Sequence, residues 1–233
     1  MTSSSELIAR LKSLSASAVS DVLDHSGYPE QSVARAIAPL VGATKMAGIA
    51  VCFEGSTEAA PEQRSAPAIS GFEIDRRMTA NAVLVIAMNG HRISAAVGGL
   101  MALSAKRRGC AGFVVDGGVR DAPEIVELGL PTFCRYVTPL NASGRWRLTR
   151  ADAPIALAGQ AAAGVNVSPG DFIIGDGDGL MVIPQAIAAD IIGWAERLAE
   201  IEQTIARKIE GGASREEAFA QHPRFAHIPR LKP

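Results

Sequence analysis

The segment 98–137 constrains this chain more than any other. Leu100, Met101 and Leu103 mark a helix over 100–108 with these residues facing inward. Lys106, Arg107 and Arg108 crowd its last turn, where cations suit the helix dipole, and Gly109 ends it. The run Gly112-Phe-Val-Val-Asp116 reads as a short buried strand, and Gly117-Gly118 as the turn after it. Asp121-Ala-Pro-Glu124 opens a second helix that runs to Leu128 and Gly129, and 131–137 is the next strand. A strand, a crossover helix and another strand make a βαβ unit, so part of the sheet is parallel and the fold class is α/β.

The flanks fill in the rest. Ser3 and Glu6 fit a capping box ahead of Leu7, Ile8 and Leu11. A second helix over 17–27 turns Val19, Val22 and Leu23 inward. Residues 39–55 read as strand or turn, and 56–78 as loop with a short helix. Residues 81–88 form a buried strand; Asn89-Gly90 signals a hairpin, with 93–97 as the returning strand. Further on, 172–174 and 180–183 are strands joined by the turn Asp176-Gly-Asp178-Gly179, and Pro184 introduces one long helix over 186–210, stopped by Gly211-Gly212.

At 233 residues, 48% hydrophobic and 20% charged, the chain has material for one large core and is not a disordered polymer. Twenty-three Lys and Arg against 24 Asp and Glu leave no basic excess to neutralise a phosphate backbone, which argues against nucleic-acid binding. The apolar run 82–88 is too short to span a bilayer, and the Ser-rich start has no signal-peptide core. Three scattered cysteines suit neither a disulfide framework nor a zinc cluster, and point to a reducing cytoplasm.

Two neighbouring loops carry the candidate chemistry. Gly98-Gly99 opens a helix, so free backbone N–H groups there could receive an anion at close range; the same pair also serves a tight turn with nothing bound. Arg120-Asp121 follows a strand of the parallel unit, at the carboxyl end where ligands bind. Arg120 offers a forked cation for a carboxylate or a developing enolate, and Asp121 a hard oxygen for a divalent cation; alternatively Asp121 and Glu124 merely cap a helix. The Asp176-Gly-Asp178 turn lacks the glutamate a calcium loop needs, Ile187 standing in its place. His25, His91, His222 and His227 lack zinc-ligand spacing and read as structural, as does Cys110.

The stretch Gly98-Gly-Leu-Met-Ala-Leu-Ser-Ala-Lys-Arg-Arg-Gly109, followed by Ala111-Gly-Phe-Val-Val-Asp-Gly-Gly-Val-Arg-Asp121, resembles the core signature of the RraA-like family. Ser20-Asp-Val-Leu-Asp24 and the segment from Pro169 to Pro184 add to the likeness, which extends over most of 15–184. That family includes the divalent-metal-dependent 4-hydroxy-4-methyl-2-oxoglutarate/4-carboxy-4-hydroxy-2-oxoadipate aldolases. The resemblance implies a single-domain β/β/α swivelling-type fold with a partly parallel central sheet and a long C-terminal helix. The catalytic core would be 1–184, with 185–233 a helix and tail packing on a neighbouring subunit of a homotrimer or homohexamer.

By motif match, Arg120 would contact the substrate keto oxygen. Asp121 would hold Mg2+ or Mn2+, and the amides of Gly98, Gly99, Leu100 and Met101 would hold the pyruvoyl carboxylate. Glu202 from a neighbouring subunit would also approach the metal, with Glu196 and Glu200 as other candidates. The implied reaction is retro-aldol cleavage of a 4-hydroxy-2-oxo acid to pyruvate, with oxaloacetate decarboxylation through the same enolate. One position departs: several such aldolases carry an acid where Gly99 stands. Other proteins of this likeness bind and inhibit a ribonuclease; they resemble the core without the long C-terminal helix, so 185–233 favours the enzyme.

Overall fold

The computed structural model describes residues 3–41, 44–58 and 69–231. Two helices start the chain. Helix α1 (Ser4–Leu11) is capped by Ser3, whose hydroxyl accepts from the Glu6 N–H at 3.3 Å. Helix α2 (Ala16–Ser26) begins at a Ser15 cap and ends at Gly27, whose φ of 101° lies in the left-handed region open to glycine. Val19, Val22 and Leu23 are buried as the spacing predicts. Each contributes about 1.5–3 kcal/mol of transfer free energy when buried.

The strands β1 (Ala38–Pro39), β2 (Met46–Thr57), β3 (Ala82–Ala87), β4 (Ala95–Val97), β5 (Gly112–Val119) and β6 (Thr132–Val137) come from the first two thirds of the chain. Helices α3 (Phe72–Arg76), α4 (Gly99–Arg107) and α5 (Ala122–Glu127) lie between them. Strands β7 (Trp146–Ala151), β8 (Ile155–Ala158), β9 (Gly164–Val167), β10 (Phe172–Asp176) and β11 (Gly179–Ile183) follow. The main sheet runs β1-β6-β5-β3-β2-β10-β11, with β4 on β5, β7 on β2, and β8-β9 as a separate hairpin. Pairs β2/β3, β3/β5 and β5/β6 are parallel, so the βαβ reading holds. Every residue of β3 is buried, as expected of a strand covered on both faces.

Three local expectations are overturned. Asn89 and Gly90 do make a turn with positive φ, 53° and 77°, but β4 does not fold back on β3. It pairs parallel with β5 beyond the point where β3 ends, Ala95 facing Gly118. The buried His91 holds this excursion: Thr57 Oγ1 lies 3.0 Å from its Nδ1, and the Ser94 N–H donates to its Nε2 at 3.0 Å. A two-residue turn signal reports the local bend; the unpaired edge of β5 decides where the returning strand goes.

Gly117-Gly118 is strand and not turn, since β5 runs through it with a register shift against β6. These glycines answer to close approach. A methyl group on Gly117 would meet Met88 Cγ at 2.8 Å, and one on Gly118 would meet the Ser94 carbonyl oxygen at 2.8 Å.

The third concerns α4. Ala102 and Ala105 are its buried side chains, while Leu100 is 84% and Leu103 43% exposed. Short side chains let α4 lie close to Val97, Phe113 and Ile125 in the core, and the phase set at Gly98 turns the leucines outward.

The C-terminal helix α6 (Ala188–Glu210) is as long as expected, and Ile191, Ile192, Ala195 and Leu198 join the core formed with α1 and α2 of the same chain. A short helix α7 (Arg215–Gln221) follows, with a full capping box at Ser214 and Glu217. Beyond it, Leu231 donates to the Ser26 carbonyl at 2.8 Å. No helix among the described residues is long and apolar enough to cross a membrane.

Candidate active site

The site forms where β4 runs into α4 and β5 runs into α5. The Arg120 N–H donates to the Val97 carbonyl at 3.0 Å, which ties the two strand ends together. Arg120 and Asp121 therefore stand beside Gly98 and Gly99, at the carboxyl end of the parallel strands.

Asp121 occupies the position that caps α5, yet its side chain makes no capping bond there. Its φ of 58° and ψ of 38° lie in the left-handed region, a conformation that costs an L-residue roughly 1–2 kcal/mol. The strain turns the carboxylate to the neighbouring helix: Oδ2 accepts from the Gly99 N–H at 3.0 Å and lies 3.4 Å from Arg120 Nε. Oδ1 has no hydrogen-bond partner among the described residues. The capping alternative thus gives way to a carboxylate held from one side and open on the other.

Gly98 makes this convergence possible. A methyl group on it would lie 2.9 Å from both Arg120 Nε and Asp121 Oδ2. Gly98 also provides no side-chain cap to α4, and a helix leaves its first N–H groups without intrahelical partners. The Gly99 N–H is taken by Asp121, so the amides of Leu100 and Met101 are the ones open to a ligand anion, backed by the helix dipole.

In front lies a cleft of about 440 Å³, walled by Val97, Gly98, Leu100, Met101 and Arg120 on one side. Phe72, Asp75 and Asn141 complete it; sequence reasoning missed them because nothing local marks them, and the fold alone brings them to the same opening. Phe72 is 71% exposed at the mouth. Of the expected specificity loop 56–78, residues 59–68 lie outside the described residues.

The donor set fits a hard divalent cation. Such an ion takes oxygen ligands, keeps several waters, and needs only one or two protein carboxylates. Asp121 offers one oriented carboxylate with a free oxygen. No group of three or more His, Cys, Asp or Glu poised for a metal occurs among the described residues.

The three candidate glutamates of α6 are engaged elsewhere in the same chain. Glu202 pairs with Arg224, which also donates to Asp21 at 2.8 Å. Glu196 accepts two bonds from Arg10, at 2.8 and 2.6 Å, and Glu200 accepts from Arg197 at 2.8 Å. Asp176 is a structural acid: Oδ2 accepts from the Ala16 N–H at 2.8 Å, and Oδ1 accepts from the Asp178 N–H at 3.0 Å. His25 stacks on Phe225 at 3.7 Å, and His227 lies 3.0 Å from the Trp194 carbonyl. Cys110 is buried, and that burial raises its pKa, so it is not a poised nucleophile.

The family model RraA-like: Aldolase/RraA matches residues 16–182. A 4-hydroxy-4-methyl-2-oxoglutarate aldolase of Thermus thermophilus is 33% identical over 106 residues, 46% of this chain and 61% of that protein. The matches span between 33% and 66% of the lengths of the first curated relatives. Among solved structures, an uncharacterized protein from Pseudomonas syringae shares the fold, with TM-score 0.81, 24% identity and coverage of 95% and 96% of the two chains. Streptomyces coelicolor RraAS2, an unusual member of the RNase ES inhibitor RraA protein family, aligns with TM-score 0.74 and 27% identity over 87% of this chain and 96% of its own.

Proposed function

The chain belongs to the RraA-like family, and from that premise we propose that it is a divalent-metal-dependent lyase cleaving a 4-hydroxy-2-oxo acid to pyruvate. One observation carries the reading. Arg120, Leu100 and Met101 line one cleft, and the Asp121 carboxylate stands against Arg120 beside it, 3.4 Å from Nε.

The roles follow from the chemistry of each group. The Leu100 and Met101 amides bind the 2-oxo acid by its carboxylate at the positive end of α4. Arg120 donates to the keto oxygen from a permanently charged fork. As the C–C bond breaks, the 4-hydroxyl gives its proton to water and becomes the carbonyl of the departing fragment. Negative charge moves onto the keto oxygen, where the guanidinium stabilises it more in the transition state than in the ground state. The enolate then takes a proton from water to give pyruvate. Asp121 holds Mg2+ or Mn2+, which when bound supplies Lewis-acid polarisation of the oxo acid. Gly98 keeps the two side chains at the mouth. Oxaloacetate decarboxylation develops charge on the same oxygen, so it is the expected side activity.

The exposed Leu100 and Leu103 of α4 and Val126 of α5 support an assembly that covers them, which we take to be a homotrimer or homohexamer. In that arrangement the face of 185–233 not packed on its own α1 and α2 would meet a neighbouring copy, and Glu202 would exchange Arg224 for that copy's site. The three buried cysteines suit a reducing cytoplasm.

The test is pyruvate release from a panel of 4-hydroxy-2-oxo acids and from oxaloacetate, with Mg2+ and with EDTA. Turnover that EDTA abolishes and Mg2+ restores supports the lyase. A ribonuclease inhibitor like those related to RraAS2 would turn over none of these with or without chelator.

A further inference from the structure

Next to Asp121 the structure holds a second carboxylate with nothing to do. Glu124 lies one turn further along α5. Its side chain leans over Gly99, so that a methyl group at that position would collide with Oε2 and lie 3.2 Å from Cδ. The same methyl group would lie 3.3 Å from Asp121 Cβ. Two acids therefore flank one glycine at the start of α4, and the missing side chain is what admits the second. Gly99, Leu100 and Glu124 line a depression of about 290 Å³ that adjoins the substrate cleft, with Leu100 common to both.

Several other carboxylates are matched by arginines: Glu54 by Arg150, Asp116 by Arg135, Asp152 by Arg77, Glu196 by Arg10. Glu124 has neither an ion pair nor a hydrogen bond among the described residues. Two carboxylates gather at Gly99, and only that of Asp121 has a guanidinium beside it, Arg120 Nε at 3.4 Å. Among the described residues Arg120 is the one cation paired with these two acids, and the remaining negative charge suits a divalent cation, which accepts up to two protein carboxylates among its waters.

We infer that Glu124 supplies a second carboxylate to the cation site built on Asp121, in the space that Gly99 leaves open. This rests on the metal-dependent reading above. Glu124 acts as a positioning residue: it reaches the cation directly or through its waters and does not touch the reacting atoms.

The experiment is a Mn2+ titration followed by the EPR signal of the free ion, on the full chain, with melting temperature recorded for each variant. Glu124→Gln is expected to weaken Mn2+ binding roughly tenfold to a hundredfold, the usual effect of losing a supporting ligand. Asp121→Asn should abolish binding, and Glu127→Gln, an acid on the same helix, should leave it unchanged. Gly99→Ala pushes the Glu124 carboxylate aside, so it should weaken binding too, and the Gly99→Ala/Glu124→Gln double variant should be no weaker than the worse single one. Wild-type affinity in Glu124→Gln, with Asp121→Asn dead, overturns this inference and leaves the metal reading standing. So do fully additive losses in the double variant. A wild-type chain that takes up no Mn2+ overturns both.

Discussion

Gly98 and Arg120 lie so close that a single methyl group on the glycine would come within 2.9 Å of the guanidinium Nε. The same group would sit 2.9 Å from Asp121 Oδ2, so one backbone position sets the place of both site side chains. Gly98→Ala should therefore displace the pair while leaving the fold intact. Misplacing a catalytic group by about 1 Å can cost roughly 100-fold in rate. Steady-state kinetics with oxaloacetate, beside an unchanged melting temperature, would check this; near-normal turnover would show that the contact does not matter.

Arg120→Ala and Asp121→Ala should each lower turnover by at least about 100-fold, the usual consequence of losing a preorganised electrostatic partner. The Arg120–Asp121 pair is partly exposed, so its loss should cost about 0–1 kcal/mol of stability. Arg120→Lys should not restore activity, because an ammonium cannot reproduce the fork. The comparison needs kcat and a urea unfolding curve for each variant. A large stability loss with activity per folded molecule preserved would reassign these residues to the scaffold.

His91 should make the fold acid-sensitive. Its Nε2 accepts from the Ser94 N–H, so the neutral ring is protonated on Nδ1, facing Thr57 Oγ1. Burial holds its pKa below the ordinary 6.5. Between the folded value and 6.5 the unfolded chain binds the extra proton, so stability falls as pH drops below about 6.5 and levels off under the folded value. Glu196 acts in a lower window. Its hydrogen bond from Arg10 holds its pKa below 4.5, so its contribution is complete above that pH and is lost as pH falls further. Urea midpoints measured from pH 8 to pH 2 should show two descents, with His91→Gln removing the first and Glu196→Gln the second.

Gly118→Ala should destabilise the protein by about 1–3 kcal/mol, because overpacking a dense interior forces backbone or side-chain shifts. The new methyl group would meet the Ser94 carbonyl oxygen at 2.8 Å and Tyr136 Cζ at 2.9 Å, and the first is backbone that cannot rotate away. Gly129→Ala serves as a contrast: its surroundings are open, so any cost there comes from its φ of 60°. Equal effects at the two positions would mean that crowding at Gly118 is relieved elsewhere.

The chain's own pattern was enough to specify the βαβ unit, a buried strand expected over 81–88 and found over 82–87, the helix ends at Gly27 and Gly211, and the placing of Arg120 and Asp121 at a strand's carboxyl end. These follow from periodicity, capping and chain direction, which are properties of neighbours in sequence. The inward face of α4, the destination of β4 and the role of Gly117-Gly118 were not legible. Each depends on how near a distant segment comes: Phe113 to Ala102, the β5 edge to Ala95, Met88 and Tyr136 to the two glycines. The site divides in the same way. Residue types suggested a candidate anion cradle at Gly98-Gly99 beside a candidate cation ligand, Asp121. Only the folded chain decided that Asp121 spends the Gly99 amide, that Phe72, Asp75 and Asn141 share a cleft with Arg120, and that Glu124 fills the space glycine vacates. A sequence records which groups are available; the distances between them are set when separate strands and helices pack.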